Sequence, residues 1–335
     1  MVYQNEADSA TFLISVAHTI NGRESYENLA RAEVKRGEWT RLSGGYLAGQ
    51  FDRYVLYVET LGAPGLSFRM KDFSLISNMS ALDRDLPSLK ELYRDYFDFG
   101  CALTGREAQS KELMDFYASQ FNIMTHGNEL KPDFVLDVAR SAQLSQQDPG
   151  AVAIRLDAAR PLLNYAQAHH IKVHGHVLLW HNQTPEAFFR ENYSRTGPYV
   201  SREVMLSRME NYIRLVLDQT QREYPGVIVS WDVVNEAIDD NTGKLRQSNW
   251  TRVVGEDFIL QAFHFARKYA PEGMQLYYND YSTPYQPKLD GILKVLAQLK
   301  KEGTINGHDF QCHYHLHTPS MQQLQSAMDK VIALG

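Results

Sequence analysis

The chain has 335 residues, of which 22% are charged and 44% hydrophobic, with a formal net charge of -6. That is an ordinary globular composition, long enough for two domains or one large one. The absence of a basic tract argues against nucleic acid as a main partner, and no apolar run approaches the ~20 residues of a membrane helix. The opening Met1-Val2-Tyr3-Gln4 has neither a basic n-region nor an apolar h-region, so no signal peptide is predicted. Cys101 and Cys312 lie in apolar, strand-like runs and read as small core residues, not a disulfide framework.

The first 78 residues are predicted to be all-β. Thr11 to Val16, Ala30 to Val34 and Tyr54 to Glu59 are strand candidates, separated by turns at Asn21-Gly22, Arg36-Gly37 and Ser43-Gly44-Gly45. This is a β-sandwich or jelly-roll pattern. Residues 79–92 read as a linker. From 93 to 335 strand and helix alternate, with strands expected at Phe99 to Leu103, Phe121 to Thr125, Ile171 to Leu179, Val227 to Val234, Met274 to Asn279 and Asp309 to Leu316. Met205, Met209, Tyr212 and Val216 share one helical face, as do Leu289, Ile292, Leu293, Leu296 and Leu299. Alternating βα units imply a parallel sheet. No Gly-rich phosphate loop follows the first strand, so a (β/α)8 TIM barrel fits better than a doubly wound sheet. About six of its eight βα units can be counted, so an incomplete barrel is expected.

In such a barrel, chemistry collects at the carboxyl ends of the strands. Asn128 and Lys131 follow the second strand. His174, His176 and Trp180 occupy alternate positions of the third, with His181 next. Val227-Ile228-Val229-Ser230 runs into Trp231-Asp232-Val233-Val234-Asn235-Glu236, so a buried strand ends in an Asn-Glu pair. Asn279-Asp280-Tyr281 closes the fifth strand, and the sixth would carry Gln311, His313 and His315 at period two. Amides, imidazoles and an aromatic around one carboxyl suit a polyhydroxylated ligand.

Blander assignments stand beside these. His174 and His315 read as satisfied core histidines, Asp232 as a buried carboxylate orienting its neighbours, and Glu129 as exposed loop. His174-x-His176 with His313-x-His315 could instead be ligands of a metal-dependent hydrolase.

Five motifs together resemble glycoside hydrolase family 10, the endo-β-1,4-xylanases. They are Thr125 to Asp133, Gly175 to Pro185, Trp231 to Glu236, Tyr278 to Tyr281, and Gln311-Cys312-His313, in the family's order. The resemblance implies a retaining two-carboxylate mechanism without metal or cofactor. It matches Glu236 to the general acid/base and Asn235 to the neighbour holding the sugar's 2-hydroxyl. It places Asn128, Lys131, His176, Trp180 and His181 among the substrate-binding residues. Asn279 and Tyr281 match the rim near the cleavage point, and Gln311 and His313 match residues positioning the nucleophile. Gly127 stands where the family usually has a glutamate, and Ala187 where an aromatic is common.

The nucleophile, a seventh-strand glutamate, is absent: no Glu follows His313. The chain is therefore expected to be an inactive fragment of a larger xylanase. The alternatives are a non-catalytic xylan-binding protein and the metal-dependent hydrolase. Residues 1–78 more weakly resemble part of a family 22 carbohydrate-binding module, through Ser25-Tyr26-Glu27, Gly37 to Thr40, Leu56 to Glu59 and Met70 to Phe73. Tyr26, Tyr57 and Glu59 are its candidate sugar contacts, while Trp39 and Tyr57 read more simply as sandwich core. The implied partners are xylan and xylo-oligosaccharides, not nucleic acid or membrane. The complete protein is expected to be monomeric and extracellular.

Overall fold

The computed structural model describes residues 1–20, 23–46, 53–75 and 85–335. The turn at Asn21-Gly22 and positions 79–84 of the expected linker lie outside the described residues. The chain divides into two compact units, Met1–Leu86 and Pro87–Gly335.

In the first unit, strands β1 (Val2–Gln4) and β5 (Phe68–Met70) form one sheet. β2 (Ser9–Ile20), β3 (Arg23–Lys35) and β4 (Arg53–Leu61) form another, antiparallel in the order β3-β2-β4. Phe12 and Val34 are fully buried, and Phe12 meets Phe68 edge-on at 5.2 Å between ring centres. The apolar alternation of β2 thus seals the space between the sheets. Trp39 does not join this core. It is 37% exposed, 5.2 Å from the Tyr3 ring, with the Lys71 ammonium 4.5 Å from its ring centre.

The second unit carries β6 (Gly100–Leu103), β7 (Ile123–His126), β8 (Lys172–Gly175), β9 (Leu179–Trp180), β10 (Ile228–Asn235), β11 (Gln275–Asp280) and β12 (Gly307–Phe310). Its principal helices are α1 (Leu89–Leu92), α2 (Lys111–Gln120), α3 (Pro132–Val135), α4 (Val138–Leu144), α5 (Arg160–Ala168), α6 (Arg202–Glu223), α7 (Asn249–Val253), α8 (Phe258–Tyr269), α9 (Lys288–Lys301) and α10 (Met321–Ile332). The sheet order is β12-β11-β10-β8-β7-β6, with β9 also on β10, and these pairings are parallel. Strands pair in chain order without the reversal of a doubly wound sheet. The sheet also curls: His174 on β8 reaches Asp309 on β12 at 3.5 Å, although β10 and β11 lie between them. This is the fold of an incomplete TIM barrel.

Helix starts follow local chemistry. Ser110, Asp137 and Ser201 accept backbone N–H groups as N-caps, and Ser248-Thr251 and Ser320-Gln323 form capping boxes. The predicted stripe of α6 is buried at Met205, Met209, Tyr212 and Val216. The fully buried Arg208 on α6 donates to the carbonyls of Pro149, Phe188 and Arg190, pinning the loop after β9.

Several sequence expectations change. Residues 89–92 are helix α1 in the second unit, not linker: Ser88 Oγ donates to Ser119 O at 2.7 Å, and Leu89 N to Gln120 Oε1 at 3.1 Å. The third strand breaks after Gly175 and resumes at Leu179. The sixth ends at Phe310, so Gln311, His313 and His315 do not alternate along a strand. His315 is exposed, not a core histidine, and its backbone bridges Thr318. Cys312 is exposed with φ at +53°. Glu129 is buried, because its carboxylate accepts from Gly105 N at 2.6 Å and Asn128 N at 3.1 Å.

Gly175, the last residue of β8, separates His174 from His176. A Cβ there would lie 2.3–2.6 Å from ring carbons of the fully buried Trp231. Gly175→Ala is expected to lower unfolding free energy by about 1–3 kcal/mol, read from denaturant midpoints. An unchanged midpoint would refute this packing account.

Candidate active site

Glu236 leaves β10 in the left-handed region, at φ +55°. A non-glycine residue stays there only when its surroundings hold it. Here Glu236 N donates to Asn279 O at 2.9 Å, Ala237 N to the Tyr278 hydroxyl at 3.0 Å, and Arg246 Nε to Glu236 O at 3.1 Å. The side chain is held equally firmly. Trp180 Nε1 donates to Oε2 and Gln311 Nε2 to Oε1, each at 3.0 Å. Gln311 Nε2 is also 2.9 Å from Asn235 Oδ1, and Asn235 is buried. Chain segments far apart in sequence thus fix both oxygens of one carboxylate.

A second cluster lies beside Trp180. Lys131 Nζ donates to Asn128 Oδ1 at 3.0 Å and sits 5.2 Å from the Trp180 ring centre. Gln183 reaches the same Asn128 oxygen at 3.4 Å. Burial lowers the Lys131 pKa, opposed by the charges of Glu129, Glu236 and Asp133. His176 Nδ1 is 2.7 Å from Asp232 Oδ2, which leaves Nε2 as the free face of its ring. Burial works against ionisation of Asp232, but His174 and His176 outweigh it and hold the carboxyl well below its ordinary range. His181 is depressed by burial and by Arg246. It lines an open hollow of about 270 Å³ with Gln247, Ser248, Asn249 and Arg252.

Behind Glu236 stands a charged network that sequence reasoning missed. Lys288, 1% exposed, lies 2.6 Å from Asp240 and 2.7 Å from Asp280. Tyr281 donates to Asp240 at 2.6 Å and accepts from Arg246 at 3.1 Å; Tyr278 donates to Asp280 at 2.6 Å. Burial pushes the Asp280 carboxyl up to about 6 against the pull of Lys288. Arg246 gives no sequence signal, since its partner is the carbonyl of Glu236, which every residue type possesses.

The structure therefore gathers Asn128, Lys131, Trp180, Asn235, Glu236 and Gln311 through direct contacts, with Asn279 supplying its carbonyl and Tyr281 joining through Arg246. His313 is exposed and enters none of these bonds. The histidines of the metal-hydrolase alternative do not converge: His174 and His176 turn to Asp232, while His313 and His315 are exposed beyond β12. In the first unit, the register places Tyr26, Tyr57 and Glu59 on one face of β3-β2-β4. Tyr26 is 65% exposed and donates to Glu24, while Glu59 accepts from Ser15 Oγ, both at 2.5 Å.

His308 on β12, also absent from the sequence reading, is held at Nδ1 by Tyr278 O at 2.7 Å and at Nε2 by Thr283 Oγ1 at 3.0 Å. Burial lowers its pKa from 6.5 to about 4. The folded state therefore resists a proton that the unfolded chain accepts. The resulting stability is present above pH 6.5 and lost as pH falls toward 4. The loss should be about 3 kcal/mol in urea titrations across that window. His308→Gln should flatten the dependence; an identical slope in the variant would exclude His308 as its source.

The profile of glycosyl hydrolase family 10 matches residues 88–335. Endo-1,4-beta-xylanase B of Butyrivibrio fibrisolvens is 40% identical over 249 residues, covering 74% of this chain and 39% of that protein. Endo-1,4-beta-xylanase A of Thermotoga maritima is 33% identical over 342 residues, covering 98% and 31%. The chain thus spans between about a third and two fifths of these curated relatives. Among solved structures, the CBM22-1–GH10 modules of Clostridium thermocellum xylanase 10B, complexed with xylohexaose, align with a TM-score of 0.71 at 30% identity, covering 99% of this chain and 67% of that one. The intracellular xylanase TsXylA of Thermoanaerobacterium saccharolyticum, a point mutant complexed with xylotriose, aligns with a TM-score of 0.66 at 32% identity, covering 75% and 74%.

Proposed function

Because the chain belongs to glycosyl hydrolase family 10, we propose that the protein it represents is an endo-1,4-β-xylanase with Glu236 as general acid/base. The observation that carries this is the Glu236 carboxylate, fixed at both oxygens by Trp180 and Gln311 at a strand exit. Among relatives that match both units, those of Thermotoga maritima and Acetivibrio thermocellus include proteins named endo-1,4-beta-xylanase, beside one named exoglucanase, and similar structures hold xylohexaose or xylotriose. Glu236 protonates the leaving glycosidic oxygen while a second carboxylate about 5–5.5 Å away attacks the anomeric carbon. Asn128, Lys131, His176 and Trp180 line the glycone side, with the indole covering the apolar face of a sugar ring. Asn235 meets the 2-hydroxyl. No metal or cofactor enters this route.

The acid half of the mechanism belongs to this chain. The attacking carboxylate has no candidate among residues 314–335, whose one acid is Asp329. Asp329 lies on α10 and accepts from Gln325 at 2.8 Å. The enzyme acts as a monomer, and outside the cell because its polymer substrate is too large to import. The test is release of xylo-oligosaccharides by the protein expressed from its whole reading frame, beside the 335-residue chain. Glu236→Gln should cut kcat by about 10²–10⁴. Equal rates in wild type and variant would overturn the assignment.

A second reading, binding of xylan without cleavage, is favoured by the exposed Tyr26 with Tyr57 and Glu59 on one face of the first unit. This face resembles a family 22 binding module. Tyr57→Ala should weaken xylohexaose binding about tenfold, read by calorimetry, since an aromatic–sugar contact is worth roughly 1–2 kcal/mol. Unchanged affinity would remove this face from xylan binding.

A further inference from the structure

His174 on β8, Asp232 on β10 and Asp309 on β12 each bring one possible ligand atom within 4.8 Å of the others. His174 Nε2 is 3.1 Å from Asp232 Oδ2 and 3.5 Å from Asp309 Oδ2. Neighbouring ligands of a tetrahedral ion with bonds of 2.0–2.1 Å are separated by about 3.3 Å, so little movement would be needed to admit one. The imidazole is already oriented, since its Nδ1 meets Ser230 Oγ at 2.8 Å and leaves Nε2 facing the carboxylates.

A second observation points to a ligand. Asp232 is 2% exposed, and its Oδ1 has no hydrogen-bond partner among the described residues. A buried carboxylate oxygen without a partner is costly, and a cation would satisfy it. The other oxygen of Asp232 is held by His176 Nδ1 at 2.7 Å, the kind of outer contact that orients a ligating carboxylate. The Asp309 side chain is 39% exposed and gives solvent access.

We propose that His174, Asp232 and Asp309 bind one divalent cation of the zinc class, which ties β8, β10 and β12 together across the curl of the sheet. One nitrogen and two carboxylates, with water as a fourth ligand, suit Zn²⁺. Mg²⁺ and Ca²⁺ require six or more oxygens. The ion is structural: Glu236 and its donors are not among its ligands, so the proposal goes beyond the xylanase reading and neither depends on the other. The competing occupant is the proton, through an Nε2–H bond to Asp232 and a proton shared by the two carboxyls.

Chelator-stripped protein is titrated with Zn²⁺ by calorimetry and with Co²⁺ by visible absorption, and zinc is counted by elemental analysis. One ion per chain is expected. The melting temperature should rise by roughly 5 °C at a hundredfold excess over Kd. Asp309→Asn, nearly isosteric, should weaken binding about 100-fold or more and abolish the Co²⁺ ligand-field band. His315→Ala, an exposed histidine outside the triad, should bind as wild type does. No binding, or binding that survives Asp309→Asn, overturns the proposal in favour of the shared proton. If the Asn variant unfolds, His174→Gln replaces it, with circular dichroism confirming the fold. Xylan hydrolysis is measured separately, so failure of this site leaves the xylanase assignment standing or falling on Glu236→Gln.

Discussion

The left-handed backbone of Glu236 is the constraint on which the rest of the site depends. At φ +55° the residue turns its carboxylate out of the strand line, a conformation that costs about 1 kcal/mol or more without support. The support is redundant: a carbonyl from Asn279, a hydroxyl from Tyr278 and a guanidinium from Arg246 hold three successive backbone groups. Those anchors are themselves fixed. Tyr278 is held by Asp280, Asp280 by the buried Lys288, and Lys288 by Asp240, which also holds Tyr281 against Arg246. Each charged group in this chain of contacts has an opposite partner, as burial requires. A strand carbonyl and a buried ammonium therefore act on the same carboxylate through the backbone.

The second element of the arrangement is the curl of the parallel sheet. Sequential pairing from β6 to β12 puts strand exits side by side, and curvature turns them toward one another. Trp180 and Gln311 can then grip opposite oxygens of Glu236, although 131 positions separate them in the chain. The same curvature brings Asp309 to His174 and Asp232 in the interior. Polar groups gathered this way reach mutual hydrogen-bonding distance while apolar residues such as Trp231 and Val233 seal the other side of β10.

The first unit follows a different physical logic. Its sheets share a small core around Phe12, Val34 and Phe68, and the opposite face of the larger sheet is left to tyrosines and carboxylates. Trp39 reads as core from its composition alone, because a Trp on a short strand usually buries its ring. Here the ring lies half open against Tyr3 and Lys71.

The sequence by itself determined what periodicity and local chemistry encode. The stripe of Met205, Met209, Tyr212 and Val216, the Ser and Asp caps, the alternation of strand and helix, and the run ending in Asn235-Glu236 are local patterns, and they were legible without coordinates. The five ordered motifs placed the second unit in its family. Tertiary structure alone decided which distant groups meet. Glu129 is buried because Gly105, 24 positions earlier, presents an N–H to it, and Arg246 matters because it finds a backbone oxygen. His313 falls outside the described contacts because β12 stops at Phe310, which ends the alternation that would have aimed it inward. The reason is the same in each case. Hydrogen bonds and ion pairs depend on distances of about 3 Å, and such distances between remote residues are set by the curl of the sheet and the path of its loops.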